Sequence, residues 1–298
     1  MNKSNSKIQN PTPKICLTIA GLDPSGGAGI VADIKTFTAF GCFATSAVAS
    51  ITFQNTIGVF GAIHQTAESV RRQVEPILQD FTVSALKTGM LPTREIIEEV
   101  ARLVQENNLR NFVVDPVVRS TSGYDLIDDD ALCVLVEKLF PLSEIITPNL
   151  PEAERIAGIK IENETDIEKA AKTMQSFGAK NVLIKGGHLP IVNFEFTIAD
   201  LENSDGQRTK NKRRTAKDFL FIGSDLHIFE AEFIQTNATH GTGCTLAAAI
   251  AANLALGKSL IEAVEVAKKF VAQAIRTAPN LGHGHSPIGI SLGEVWEV

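Results

Sequence analysis

The chain has no Cys-x-x-Cys pair, no apolar run near the ~20 residues that span a bilayer, and no excess of positive charge. Each absence closes a class of function. Its four cysteines, Cys16, Cys42, Cys133 and Cys244, lie far apart and mostly in apolar runs, which argues against a zinc site and a disulfide framework and leaves reduced thiols. A net charge of −6 gives no footprint for nucleic acid or an anionic membrane. The one basic cluster, Arg208 to Arg214, sits in a polar stretch and reads as a solvated loop. The start Met1-Asn2-Lys3-Ser4-Asn5-Ser6-Lys7 lacks the apolar region of a signal peptide, so a cytoplasmic location is expected.

What is present is a strand and helix rhythm. Ile15 to Ala20 is a nearly continuous apolar strand of the kind buried on both faces in a parallel sheet. It runs into the loop Gly21-Leu22-Asp23-Pro24-Ser25-Gly26-Gly27-Ala28-Gly29 and then a helix carrying Ile30, Val31, Ile34 and Phe37. Gly27-x-Gly29-x-x-Ala32 formally satisfies the dinucleotide fingerprint, but Ser50 to Asn55 contains no Asp or Glu to hold a ribose, so the loop is expected to close over a smaller ligand. Alternation continues to Lys185, with capping boxes at Thr165-x-x-Glu168 and Ser259-x-x-Glu262. The expected fold class is therefore α/β, with three layers (α/β/α): a mostly parallel central sheet with helices on both faces and ligands at the strands' carboxyl ends. Residues 1–14 read as a disordered tail and 15–298 as one domain. From Pro190 to Phe233 the rhythm loosens into hairpin strands that look peripheral. His283 and His285 in the terminal loop lack a third metal ligand nearby in sequence.

Thr239-His240-Gly241-Thr242-Gly243-Cys244-Thr245 opens directly into an alanine-rich helix. A glycine-bracketed turn at a helix start leaves backbone N–H groups free at the positive end of the dipole, which makes an anion site. Gly241 and Gly243 let a phosphate approach the backbone, and Cys244 places a sulfur at its mouth. Lys185 follows one apolar run, and the Asp115-Pro116-Val117 turn follows another. These are parts of a phosphoryl-transfer enzyme, yet both the Walker A pattern and the His-Arg-Asp and Asp-Phe-Gly motifs of protein kinases are missing.

The ordered motifs resemble the hydroxymethylpyrimidine/phosphomethylpyrimidine kinases of thiamine biosynthesis, within the ribokinase-like superfamily. They are Gly21 to Ile30 with Asp33 to Phe37, Gln54-Asn55-Thr56, Lys87-Thr88-Gly89-Met90, Asp115-Pro116-Val117, Thr147-Pro148-Asn149-Leu150-Pro151-Glu152, Lys185-Gly186-Gly187-His188 and His240 to Leu246. The resemblance implies ATP and Mg²⁺ as cofactors, an aminopyrimidine substrate, a homodimer, and no nucleic-acid or membrane partner. It also implies Cys244 as the catalytic residue and Gly241, Thr242 and Gly243 as an anion hole. Gly21, Ala28, Asp33, Gln54, Met90 and Val117 would hold the substrate, Asn149 and Lys185 the nucleotide, and Asp115 and Glu152 the metal. Gln54 offers two donors and an acceptor to an aminopyrimidine edge, with Met90 and Val117 as walls. Pyridoxal kinase, whose substrate is another flat ring with a hydroxymethyl arm, is the nearest alternative; a non-enzymatic pyrimidine-binding protein is a third. Departures from the resembled pattern fall at Leu22, Arg119, the His285-Ser286-Pro287 end and the loop 203–218.

Overall fold

Neighbouring residues along one strand face opposite helix layers: Cys16 packs into one and Leu17 into the other, and Ala85 and Leu86, Val113 and Val114, and Leu183 and Ile184 repeat the division. This period of two, with both faces apolar, produces a sheet sandwiched between helices. The computed structural model describes residues 12–120, 123–187 and 215–290. Most of the expected tail, His188 and most of the loop 203–218 lie outside the described residues.

The elements are β1 (Ile15–Leu22), α1 (Gly29–Ala39), β2 (Phe43–Gln54), β3 (Val59–His64), α2 (Ala67–Asp80), β4 (Val83–Thr88), α3 (Arg94–Glu106), β5 (Phe112–Val114), α4 (Asp129–Leu139), β6 (Ile145–Ile146), α5 (Leu150–Ala157), α6 (Glu164–Ser176), β7 (Asn181–Lys185), β8 (Thr215–Ile222), β9 (Asp225–Glu232), α7 (Thr242–Ala255) and α8 (Leu260–Arg276). The sheet order is β3-β2-β1-β4-β5-β6-β7-β8-β9. Strands β2 to β7 of that order run parallel, and antiparallel pairing is confined to β3 at one edge and β8 and β9 at the other. The expected three-layer α/β fold is what the chain adopts. Helices α2 to α6 cover one face, and α1, α7 and α8 the other. Among the described residues no helix is long and apolar enough to cross a membrane.

Chain direction reverses its advance at β1, which lies between β2 and β4, so a crevice opens at the carboxyl ends of the central strands. Two local readings are corrected. Helix α6 starts earlier than the Thr165 box, because the Asn163 side chain caps it by accepting from the Asp166 N–H at 3.1 Å. The 215–232 hairpin is not peripheral: Asp218 to Ile222 of β8 pair with the whole of β7, and residues of both β8 and β9 line the crevice.

Helix α7, like its neighbour α1, starts without a side-chain cap, and of the two it alone starts from a left-handed residue. Thr66, Thr93, Asp128, Asn149 and Ser259 cap other helices with their side chains, whereas α7 begins at Gly241 in the left-handed region (φ 84°) with no side-chain cap. Beyond its first turn, every residue from Thr245 to Ala255 is buried. Alanine at Ala247, Ala248, Ala249, Ala251 and Ala252 lets it lie close between the sheet and helices α1 and α8.

Candidate active site

A cavity of about 830 Å³ opens along the carboxyl ends of the strands. All the expected site residues line it except Asp33. One end holds Gly21 near the end of β1, Ala28 from the loop after it, Gln54 from the end of β2, Met90 after β4 and Val117 after β5. A Cβ at Gly21 would come 3.0 Å from the Met90 sulfur, so the absent side chain lets Met90 pack directly against the β1 backbone in this part of the wall.

Asp33 requires correction. Its side chain, in the middle of α1, is fully buried, accepts from Thr18 Oγ1 at 2.6 Å and pairs with Lys87 Nζ at 2.9 Å. The lysine from β4 occupies the carboxylate that the resemblance assigned to substrate. Charge burial demands such a partner, and a helix position cannot reveal it without the sheet register. Lys87 is held above the ordinary lysine range: burial opposes its charge, but the Asp33 carboxylate outweighs it.

At the centre of the cavity lies the first turn of α7. The N–H groups of its opening residues have no intrahelical acceptor, and no side chain caps them. A Cβ at Gly243 would lie 3.3 Å from Lys185 Nζ and 3.8 Å from Asp115 Oδ2, so the bare backbone, the ammonium and the carboxylate share one space. Lys185 Nζ donates to Asp115 Oδ1 at 2.9 Å, and Thr147 Oγ1 donates to the same oxygen at 3.1 Å. Burial opposes the Lys185 charge, but Asp115 and Glu152 together raise its pKa.

Asn149 and Glu152 form the reciprocal capping box of α5: the Asn149 side chain accepts from the Glu152 N–H at 2.9 Å, and Glu152 Oε2 accepts from the Asn149 N–H at 2.8 Å. Glu152 Oε1 accepts from the Val118 N–H at 3.3 Å. Burial pushes the Glu152 carboxyl up to about 7, against the pull of Lys185 and with the Asp115 charge adding to the rise. The cavity wall and the helix cap are thus the same residues.

Cys244 sits half-buried at the mouth of the turn. A helix terminus and a nearby lysine favour a thiolate, but burial pushes the Cys244 thiol up to about 11, with Lys87 and the Gly29 N–H only partly offsetting the rise. Free Cys244 is a neutral thiol.

The structure adds residues that sequence reasoning passed over. Asp218 and Lys268 form a largely buried ion pair at 2.5 Å on the cavity wall, and Asp218 Oδ1 accepts from the Gly186 N–H at 3.0 Å, bracing the strand end that carries Lys185. The lysine on the buried face of α8 was the available signal. Asp23 and His240 meet at 2.7 Å, and His285 contacts Thr239 Oγ1 at 3.2 Å; no group of three or more His, Cys, Asp or Glu side chains placed to hold a metal occurs among the described residues. Arg119 is exposed at the cavity rim and paired with Asp125 at 2.8 Å.

The sequence pattern of the family described as phosphomethylpyrimidine kinase matches residues 23–289. The chain is 42% identical over 271 residues to the hydroxymethylpyrimidine/phosphomethylpyrimidine kinase of Bacillus subtilis (strain 168), an alignment covering 91% of this chain and 92% of that protein. It resembles the crystal structure of phosphomethylpyrimidine kinase from Clostridium difficile 630 with a TM-score of 0.71 and 38% identity, covering 88% of this chain and 99% of the other. A pyridoxal kinase from Staphylococcus aureus, in complex with AMP-PCP and pyridoxal, superposes with a TM-score of 0.78 at 31% identity, covering 94% of each chain.

Proposed function

This chain belongs to the phosphomethylpyrimidine kinase family, and from that membership we infer that it transfers the γ-phosphoryl group of ATP to 4-amino-5-hydroxymethyl-2-methylpyrimidine, and then phosphorylates the monophosphate to the diphosphate, in the making of thiamine. The observation that carries the reading is the cavity whose lining joins Gln54, Met90 and Val117 to the uncapped start of α7 with Lys185 beside it.

In the transfer, the hydroxymethyl oxygen bonds to the γ-phosphorus, the bond from phosphorus to the ADP oxygen breaks, and the hydroxyl proton departs. The N–H groups of Gly243 and Cys244 stabilise charge on the transferring oxygens without having to reorganise, while the Thr242 N–H donates to the Thr239 carbonyl at 3.3 Å. Lys185 neutralises nucleotide phosphates as a point charge. Cys244, at the mouth of the same turn, takes the proton in the fraction of molecules where it is a thiolate. The backbone donors carry the larger share, since proton removal matters less in a loose transition state.

Asp115 and Glu152 fit a magnesium ion. They are hard oxygen donors on one wall of the cavity, and Asp115 Oδ2 carries no hydrogen bond among the described residues. Two carboxylates with phosphate oxygens and water complete the usual Mg²⁺ shell, and the ion would neutralise charge on the nucleotide.

A homodimer belongs to the same reading. Ile51, Phe53, Ile57, Phe60 and Ile63 are each exposed on β2, β3 and the turn between them, with Ile51 paired to Ile63, an apolar edge suited to a second copy. Light scattering of the intact chain should give twice the monomer mass, and Phe60→Asp should lower it.

Pyridoxal is the second substrate to measure, given the neighbours named for it. ADP release with the pyrimidine alcohol, its monophosphate and pyridoxal, measured side by side with mass detection of the products, tests the assignment. A kcat/KM for pyridoxal above that for the pyrimidine would overturn it.

A further inference from the structure

Asp23 and His240 stand 217 positions apart in sequence and meet through a 2.7 Å bond from His240 Nε2 to Asp23 Oδ2. Asp23 is almost wholly buried, and its oxygens also accept from the Ser25 N–H at 2.8 Å, Ser25 Oγ at 2.7 Å, the Gly27 N–H at 3.1 Å and the Ala28 N–H at 2.8 Å. Burial opposes its charge, but the His240 and Ser25 bonds outweigh it and hold the carboxyl well below the usual carboxylate range. A carboxylate only accepts, so the proton of the shared bond sits on His240 Nε2.

Around that bond the two glycine turns touch backbone to backbone. A Cβ at Gly241 would lie 1.9 Å from the Gly27 carbonyl oxygen, and one at Gly27 would lie 2.3 Å from His240 Cδ2. A third segment joins in: the His240 N–H donates to the Ser286 carbonyl at 3.2 Å, and the His285 N–H donates to the Thr56 carbonyl at 2.7 Å, two residues beyond Gln54. The residues lining the substrate slot, Gly21, Ala28 and Gln54, are thereby tied to the turn that faces phosphate, although they come from opposite ends of the chain.

We propose that the bond between Asp23 and His240 is a clasp that fixes the ring slot against the phosphate-binding turn, making both of them positioning residues for the transfer step. The proposal rests on the kinase reading above. Phosphoryl transfer needs the acceptor oxygen within roughly 3–3.5 Å of phosphorus and in line with the leaving group, and an error of about 1 Å costs on the order of 10²-fold. Each half of the cavity can bind its own ligand with the clasp open, so the clasp governs turnover more than binding. Asp23 keeps its four bonds within its own loop when His240 is removed, so the loop retains its shape while its register against α7 is released.

The test compares His240→Ala, His240→Gln and His240→Asn in the full chain, with thermal melting beside the kinetics. The Gln amide nitrogen reaches about as far as Nε2, and the Asn amide does not. We expect Ala and Asn to lower kcat by roughly 10- to 100-fold, with KM for ATP and for the ring within about threefold of wild type, and Gln to recover kcat to within about fivefold. Should the Ala variant fail to fold, the Gln and Asn pair decides by the same criterion. An Ala enzyme within threefold of wild-type kcat, an equal loss in Gln and Asn, or a loss confined to KM each overturns the clasp. The variants are scored on whichever ring the wild-type enzyme phosphorylates, so activity on pyridoxal alone overturns the substrate reading and leaves the clasp to its own result.

Discussion

Lys87 Nζ lies 2.9 Å from Asp33 Oδ2 and 3.0 Å from Oδ1, and neither side chain reaches solvent. The pair links β4 to α1 beneath the floor of the cavity. Removing one member leaves an uncompensated buried charge, which typically costs about 3–5 kcal/mol. Asp33→Ala should therefore lower stability by that amount in urea unfolding, and the apolar double replacement Asp33→Leu with Lys87→Met should cost less. A single-variant loss under about 1 kcal/mol would show that the charges are solvated.

Gln54 lines the ring end of the cavity and not the α7 end. Its replacement by Ala should weaken kcat/KM for the pyrimidine by about 1–3 kcal/mol while the KM for ATP stays within about twofold. Steady-state kinetics with each substrate varied in turn decides it, and an equal loss for ATP would move Gln54 out of the ring slot.

Lys185 should behave in the opposite way. Its ammonium, 2.9 Å from Asp115 and beside Gly243, faces the phosphate space. Lys185→Ala should raise the KM for ATP and lower kcat, with less change in the KM for the ring. Unaltered ATP kinetics would exclude it from the nucleotide site.

The Cys244 thiol, pushed up to about 11, is protonated near neutrality and gains thiolate as pH rises toward that value. Alkylation by iodoacetamide should therefore be slow at pH 7 and accelerate steadily toward pH 10, well behind exposed Cys133. Turnover that uses the sulfur as base should climb in the same direction. Cys244→Ala should cut kcat by roughly 10²-fold and flatten that rise, with an unchanged melting temperature as control. A folded Ala variant within about threefold of wild type would leave catalysis to the backbone donors alone.

Much of this was legible in the sequence because parallel strands buried on both faces leave a continuous apolar signal, as in Ile15 to Ala20, and because turns after them carry Gly or Pro. Those rules put Lys185 and the Asp115-Pro116-Val117 turn at strand ends, whereas the residue-by-residue list from Gly21 to Cys244 rested on the family resemblance. What stayed hidden depended on pairings across the fold. Asp33 looked available until the sheet register put Lys87 against it. The strand β3 went unread, since Val59 to His64 is short, interrupted by Gly61 and half exposed. Strands β8 and β9 were read as peripheral, because local pattern cannot say that β8 docks on β7. The Thr165 box misled by two residues, since Asn163 competes for the same cap and wins.

The burial of α7 has a consequence for synthesis. The helix fills the space over Cys16, Phe37, Ala85 and Val113, residues made long before it. While the ribosome is still short of residue 242, the part of that face not covered by α1 is wet and apolar, and the phosphate turn is incomplete. Pulse-chase trapping of stalled nascent chains should find chaperone bound until α7 and α8 have cleared the exit tunnel, and released after it. An early stop in translation thus yields a sticky half-sandwich, never a weak enzyme.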